Sequence, residues 1–352
     1  MMKKKLRVGI VGYGIVGKKR RQYIDAHPRL MTVGVCDQNF SQPGIFPDGV
    51  RFFSTYAELL TESLDVLFVC VTNDIAAIVT MAGLRQGLHV FCEKPPGRDL
   101  DDIANVMAVE REFQNLRLMY GFNHRYHDSV REALKVLKSG ELGTILNIKG
   151  TYGKSQIVSF NSEWRTKREK AGGGILLDQG IHMLDMMRLF AGEFTEIHSF
   201  VSNSFWHHDV EDNAYALMRN SEGVVAMIHS SATQWRHRFH LEIAMTKGAI
   251  ILAGILSGTK SYGAETITIV TASDEDSGDP KEVMIRYNED PSWRDEIAAF
   301  VGYIDDNLPV TSGSSHDAFK TMELVYKIYC ADAQWKQKYS LNDKPNLATT
   351  KL

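Results

Sequence analysis

The chain reads as an α/β protein in two parts: a parallel sheet wound by helices over residues 1–122, then an α+β domain with a largely antiparallel sheet over residues 123–352. Three observations predict this. Residues Leu6–Val11 form an apolar strand pattern that runs at once into Gly12-Tyr13-Gly14-Ile15-Val16-Gly17, a turn leading into a helix. Strand and helix patterns then alternate through residue 120, the signature of parallel strands joined by helices that cover both faces. Past residue 122 longer β-rich segments take over, two of them joined by Ser221-Glu222-Gly223 as a hairpin.

In chain order, the first half carries strand patterns at 7–11, 32–36, 66–71, 89–92 and 117–120. Helical patterns fit between them at 18–26, 56–61, 75–86 and 100–114. The second half carries strand patterns at 145–152, 196–203, 213–218, 224–231 and 239–245. Ile297, Phe300, Val301 and Ile304 recur at helical spacing, as do Met322, Val325 and Tyr329, and both sets read as core stripes. The acidic stretch 274–279 reads as a solvated loop, and no internal repeat is present.

With 352 residues, the length suits about two domains. A formal net charge of −3 gives no general electrostatic reason to expect nucleic acid or an anionic membrane as partner. Lys18-Lys19-Arg20-Arg21 is the local exception: it reads as a solvated helix face, or as one or two cations neutralising phosphates beside the glycine turn. Cys36, Cys70, Cys92 and Cys330 lack C-x-x-C spacing and read as reduced, small apolar residues. There is no apolar run of 18 residues, and Met1-Met2-Lys3-Lys4-Lys5 leads straight into a strand, which predicts a cytoplasmic protein.

The glycine turn has a physical reading. Gly12 permits the tight turn, Gly14 lets the backbone approach a pyrophosphate, and Gly17 lets the new helix pack on the sheet. The free N–H groups at Ile15, Val16 and Gly17 then face the phosphates. Asp37 ends the second strand 20 residues after Gly17, where a carboxylate holds the adenosine ribose. A carboxylate there accepts from a free 2′-hydroxyl and repels a 2′-phosphate, so the sequence predicts NAD over NADP.

Two further clusters carry chemistry. Glu93-Lys94-Pro95 places a lysine just past a strand end, where burial lowers its pKa toward acid–base use. Gly172-Gly173-Gly174 leads to Asp178, His182 and Asp185, which share one face if residues 177–190 are a helix, with Met183, Met186, Met187 and Phe190 on the buried side. On that reading the carboxylate orients the imidazole and raises its basicity. His207-His208-Asp209, His237 and His240 lack metal-site spacing, and no serine or cysteine sits on a nucleophile elbow.

Together with Gly121-Phe122-Asn123-His124-Arg125-Tyr126 and Trp164-Arg165, these motifs resemble the Gfo/Idh/MocA family of nicotinamide-dependent sugar and cyclitol oxidoreductases over nearly the whole chain. The resemblance implies a Rossmann domain followed by an α+β domain whose open sheet face forms the contact of a homodimer or homotetramer. It implies that Lys94, Asp178 and His182 face the substrate, that Asn123 lines the nicotinamide and substrate pocket, and that Trp164 and Arg165 lie over the substrate. Two departures stand out: Val71-Thr72-Asn73-Asp74-Ile75-Ala76 lacks the family's Pro-Asn and following His, leaving Thr72 and Asn73 for cofactor contacts, and the basic run is heavy. Glu93 and Lys94 complete the expected cofactor contacts. The expected activity is NAD(H)-dependent interconversion of a secondary alcohol and a ketone on a sugar, nucleotide sugar or cyclitol, with Lys94 or His182 moving the proton. Tyr152, Lys154, Arg165 and Arg236 fit many hydroxylated substrates and lean toward an anionic one. The rival expectations are a retained NAD that serves epimerisation or glycoside hydrolysis, and a non-catalytic dinucleotide sensor.

Overall fold

The computed structural model describes residues 4–157, 164–257, 260–272 and 278–346; the loop expected at 274–279 lies mostly outside them. The N-terminal sheet contains β1 (Leu6–Val11), β2 (Leu30–Cys36), β3 (Gly44–Ile45), β4 (Arg51–Phe53), β5 (Val66–Val69), β6 (His89–Glu93) and β7 (Leu118–Gly121). Its order is β3-β4-β2-β1-β5-β6-β7, parallel throughout except for the β3–β4 pair. Helices α1 (Ile15–Ala26), α2 (Tyr56–Leu59), α3 (Asn73–Arg85) and α4 (Leu100–Glu110) connect the strands. Strands β3 and β4, too short to show periodicity, were not expected, and α4 stops four residues before the sequence pattern does.

The chain then makes a 3₁₀ turn at Asn123–Tyr126 and enters α5 (Asp128–Ser139), a helix the β-rich reading overlooked. The second sheet contains β8 (Ile145–Ser155), β9 (Phe194–Ser202), β10 (Asn213–Asn220), β11 (Val225–Gln234), β12 (Arg238–Met245) and β13 (Gly248–Ala253). A two-stranded ribbon, β14 (Leu256–Ser257) and β15 (Lys260–Ser261), precedes β16 (Glu265–Thr271) and β17 (Lys281–Tyr287). The order β17-β16-β13-β12-β8-β11-β10-β9 is antiparallel but for β8 against β11, so the mostly antiparallel sheet is as expected. Three of its strands, β13, β16 and β17, were missed; β17 is exposed along nearly its whole length.

One face of this sheet is covered by α7 (Ile181–Ala191), which follows α6 (Arg168–Ala171) and a π-turn at Leu176–Gly180. Gly150 of β8 admits that helix: a Cβ there would lie 2.5 Å from Met187 Cε. The last helices are α8 (Ser292–Asp305), α9 (Ser315–Ala331) and α10 (Ala333–Tyr339). Helix α8 returns to the first sheet, where Ile297 and Phe300 join Val8, Ile10, Phe68 and Phe91 in one core. Among the described residues no helix is long and apolar enough to cross a membrane.

Candidate active site

The glycine turn has the geometry a dinucleotide requires. Gly12 adopts φ +90°, and a Cβ on it would lie 2.2 Å from the Cys70 carbonyl oxygen. A Cβ on Gly17 would lie 1.9 Å from the Gly12 carbonyl oxygen, so only glycine lets α1 start this close to β1. Gly14 faces open space, no side chain caps the first turn of α1, and Ile15 is 80% exposed beside it. An open, uncapped and acid-free helix start accommodates a pyrophosphate. Asp37 lies at the end of β2, its Oδ2 accepting the Tyr13 N–H at 2.7 Å and its Oδ1 accepting from Asn39. The carboxylate is therefore fixed beside the glycine turn.

The basic run is not a solvated face. Arg20 is fully buried between the rings of Phe91 and Trp293, donating to Glu93 at 2.5 Å and to Glu296 at 2.6 Å. Lys19 lies over Trp293 near Asp290, and Arg21 is held by Tyr13, Asp25 and Asp48; Lys18 alone is exposed. The partners lie elsewhere in the chain, which local charge patterning does not encode. Glu93, expected at the cofactor, has its carboxylate engaged by Arg20 and thereby ties the strand end to α1. Asn73 commits its amide to the Ala171 carbonyl at 2.7 Å, and Thr72 donates to Asp74.

Past Glu93, the ammonium of Lys94 reaches the second domain, donating to the Asp178 carbonyl oxygen and lying 3.6 Å from Asp178 Oδ1. Lys154 of β8 holds Asp178 Oδ2 at 2.8 Å, and Arg165, stacked on the Trp164 ring at 4.2 Å, approaches it to 3.9 Å. Burial pushes the Asp178 carboxyl upward, but Lys154, Lys94 and Arg165 outweigh it and hold it far below the usual carboxylate range. Burial lowers Lys94 while Asp178 opposes the shift; the net direction is down.

The expected Asp178–His182 pair does not form. The π-turn carries Asp178 and the α-helix begins only at Ile181, so residues four apart no longer stack as they would in a continuous α-helix. His182 instead stacks on His124, with ring centroids 3.8 Å apart and planes at 14°, and its Nδ1 is buried without a hydrogen-bond partner. Burial, Lys94 and His127 push its pKa well below the ordinary histidine value, opposite to the expected rise in basicity. Asp185 lies one turn along α7 from His182, but its carboxylate is committed to a buried bidentate pair with Arg125. Nor does α7 have a wet side, since every residue from Ile181 to Arg188 is buried.

His124 was not singled out, although its motif was. Its Nδ1 faces Asn123 Oδ1 at 3.2 Å and its Nε2 faces the Tyr152 hydroxyl at 3.1 Å; Asn123 also donates to Ser292. Tyr152, buried at the end of β8, packs edge-on to Tyr262, whose hydroxyl accepts from Gln179. Glu211 also escaped notice, because no local pattern marks it. Its carboxylate accepts from the Gly174 and Leu176 N–H groups and the Tyr329 hydroxyl, fixing the glycine run from behind. Arg236 is exposed and takes no part in the ion pairs around Asp178. No group of metal-ligating side chains occurs among the described residues.

A glycine-turn dinucleotide cradle, with a half-buried lysine past the end of β6 meeting Asp178 of the π-turn, has the layout of a nicotinamide-dependent oxidoreductase. Within that class the chain belongs to the Gfo/Idh/MocA family, and its cofactor is NAD. Residues 6–122 match the oxidoreductase family's NAD-binding Rossmann fold, and residues 130–251 match the family's C-terminal domain. The uncharacterized oxidoreductase YrbE of Bacillus subtilis is 25% identical over 316 residues, covering 87% of this chain and 88% of that protein. Levoglucosan dehydrogenase of Pseudarthrobacter phenanthrenivorans is 24% identical over 288 residues, covering 70% and 73%. In fold, the chain superposes on levoglucosan dehydrogenase in complex with NADH and L-sorbose with a TM-score of 0.80, at 20% identity over 94% of this chain and 97% of that one.

Proposed function

We propose that the protein interconverts a secondary alcohol and a ketone on a sugar, nucleotide sugar or cyclitol, with Lys94 as the proton-transfer group. The observation that carries this reading is the placement of Lys94: it leaves the end of β6, at the cofactor side of the sheet, and meets Asp178 of the other domain. NAD, held by Gly12 to Gly17 and Asp37, supplies the hydride acceptor or donor. As the alcohol is oxidised, the Lys94 amine takes the hydroxyl proton, and in the reverse direction the ammonium returns it. Burial lowers the pKa of that amine, which favours the exchange, while Asp178 keeps it in place. His182 stays neutral and serves as a hydrogen-bonding partner for a substrate hydroxyl. Tyr152, Asn123, Trp164 and Arg165 complete the substrate side.

The sheet face turned away from α7 exposes Phe200, Tyr215, Leu217 and Met227, four large apolar residues on the neighbouring strands β9, β10 and β11. Such a patch supports assembly into a homodimer or homotetramer through this sheet.

The activity is tested by screening NAD⁺ reduction over sugars, sugar acids, cyclitols and nucleotide sugars, then measuring Lys94→Ala on the best substrate. The variant should still bind NADH and lose about 10²-fold or more in kcat. A rate within about threefold of wild type removes Lys94 from the role.

A further inference from the structure

Arg21 is linked to Asp37 through Tyr13, and its guanidinium is fully occupied by other partners. Its Nη1 donates to the Tyr13 hydroxyl at 2.8 Å, while the Tyr13 backbone N–H donates to Asp37 at 2.7 Å. The arginine and the ribose-side carboxylate thus grip the same residue. Two acids hold the guanidinium: Asp25, one turn further along α1, accepts from Nε at 3.2 Å, and Asp48 accepts from Nη2. Asp48 is itself oriented, its other oxygen accepting the Val50 N–H at 3.2 Å. The rings of Tyr13 and Phe46 flank the guanidinium at 5.9 and 5.7 Å.

A guanidinium is the side chain best matched to a phosphate, binding two oxygens at once. We propose that Arg21 is a cofactor-specificity residue held out of use: Asp48 and Asp25 bind it so that its guanidinium is not presented to a 2′-phosphate, and Asp37 adds repulsion. Cofactor choice is then set by two layers, a carboxylate at the ribose and an acid lock on the arginine that holds the Tyr13 hydroxyl. The inference rests on Asp37 holding the adenosine ribose. Asp48 is more than half exposed, so its removal leaves the core untouched.

The test is a fluorescence titration of NADH and NADPH binding, which needs no substrate. Wild type should bind NADH at least about tenfold more tightly than NADPH, and Asp37→Ser should narrow that gap. Adding Asp48→Ala, or Asp48→Asn as a shape-preserving alternative, should tighten NADPH by about a further tenfold and leave NADH unchanged. Adding Arg21→Ala should abolish that gain. If NADPH binding does not respond to either Asp48 change, or the gain survives Arg21→Ala, the lock does not exist although the Asp37 reading stands. If wild type binds NADPH as well as NADH, the Asp37 reading fails, and the inference with it.

Discussion

Single residues at this site are defined by their partners more than by their types. Asp178 and His182 are four positions apart, yet the aspartate belongs to Lys94, Lys154 and Arg165 and the histidine to a stack with His124. This makes a prediction about coupling. In double-mutant cycles of kcat, Lys94→Ala and Asp178→Asn should be strongly non-additive, since removing either leaves the other without its function. Asp178→Asn and His182→Asn should multiply nearly independently. The reverse pattern would restore the aspartate–histidine pair and displace Lys94 from its central place.

The glycine run and π-turn before α7 show how an element positions such residues. Gly174 packs against Glu211 so closely that a Cβ would lie 2.1 Å from its backbone oxygen, and the Glu211 carboxylate then fastens the N–H groups of Gly174 and Leu176. Gly174→Ala should therefore destabilise the protein by about 1–3 kcal/mol, the usual cost of overpacking, and lower kcat by displacing Asp178. Gly302, inside α8 with no atom within 4 Å of a built Cβ, provides the control. Gly302→Ala should leave stability unchanged or slightly raised, because alanine favours a helix. Equal melting temperatures for both variants would show that the glycine run is not tightly held.

Across the whole molecule, Arg20 joins three distant parts: the cofactor helix, the strand end before Lys94, and α8. Burial pushes Glu296 up to about 8, with Arg20 only partly opposing it. A carboxyl whose folded value lies above its ordinary 4.5 binds its proton more tightly when folded. Its stabilising contribution is complete below 4.5 and is lost as pH rises through about 8. Glu296→Gln should flatten this fall in stability, measured as melting temperature across the same range; an unchanged slope would place the proton elsewhere. Assembly is the other property at this scale. Leu217→Asp with Met227→Asp should reduce the solution mass by light scattering to the 39.6 kDa of one chain, and a wild type already at that mass would refute the sheet contact.

What depends on neighbours along the chain can be read from the residues alone. A strand, three glycines and a helix start are contiguous, so the tight glycine turn at Gly12 to Gly17 was legible, as was Asp37 at the end of the next long strand. Lys94 was legible for the same reason, as a lysine at the end of an apolar strand. Periodicity also reported which residues are buried, but not against what. The partners of Asp178 come from β6 and β8, those of Arg20 lie 73 and 276 residues away, and Glu211 reaches the glycine run from 37 residues downstream. Strands such as β17, exposed throughout, earn their place only by pairing with β16. Those assignments belong to the tertiary structure, because a charge or hydrogen-bonding group states a need that many positions could meet, and only packing selects the one that does.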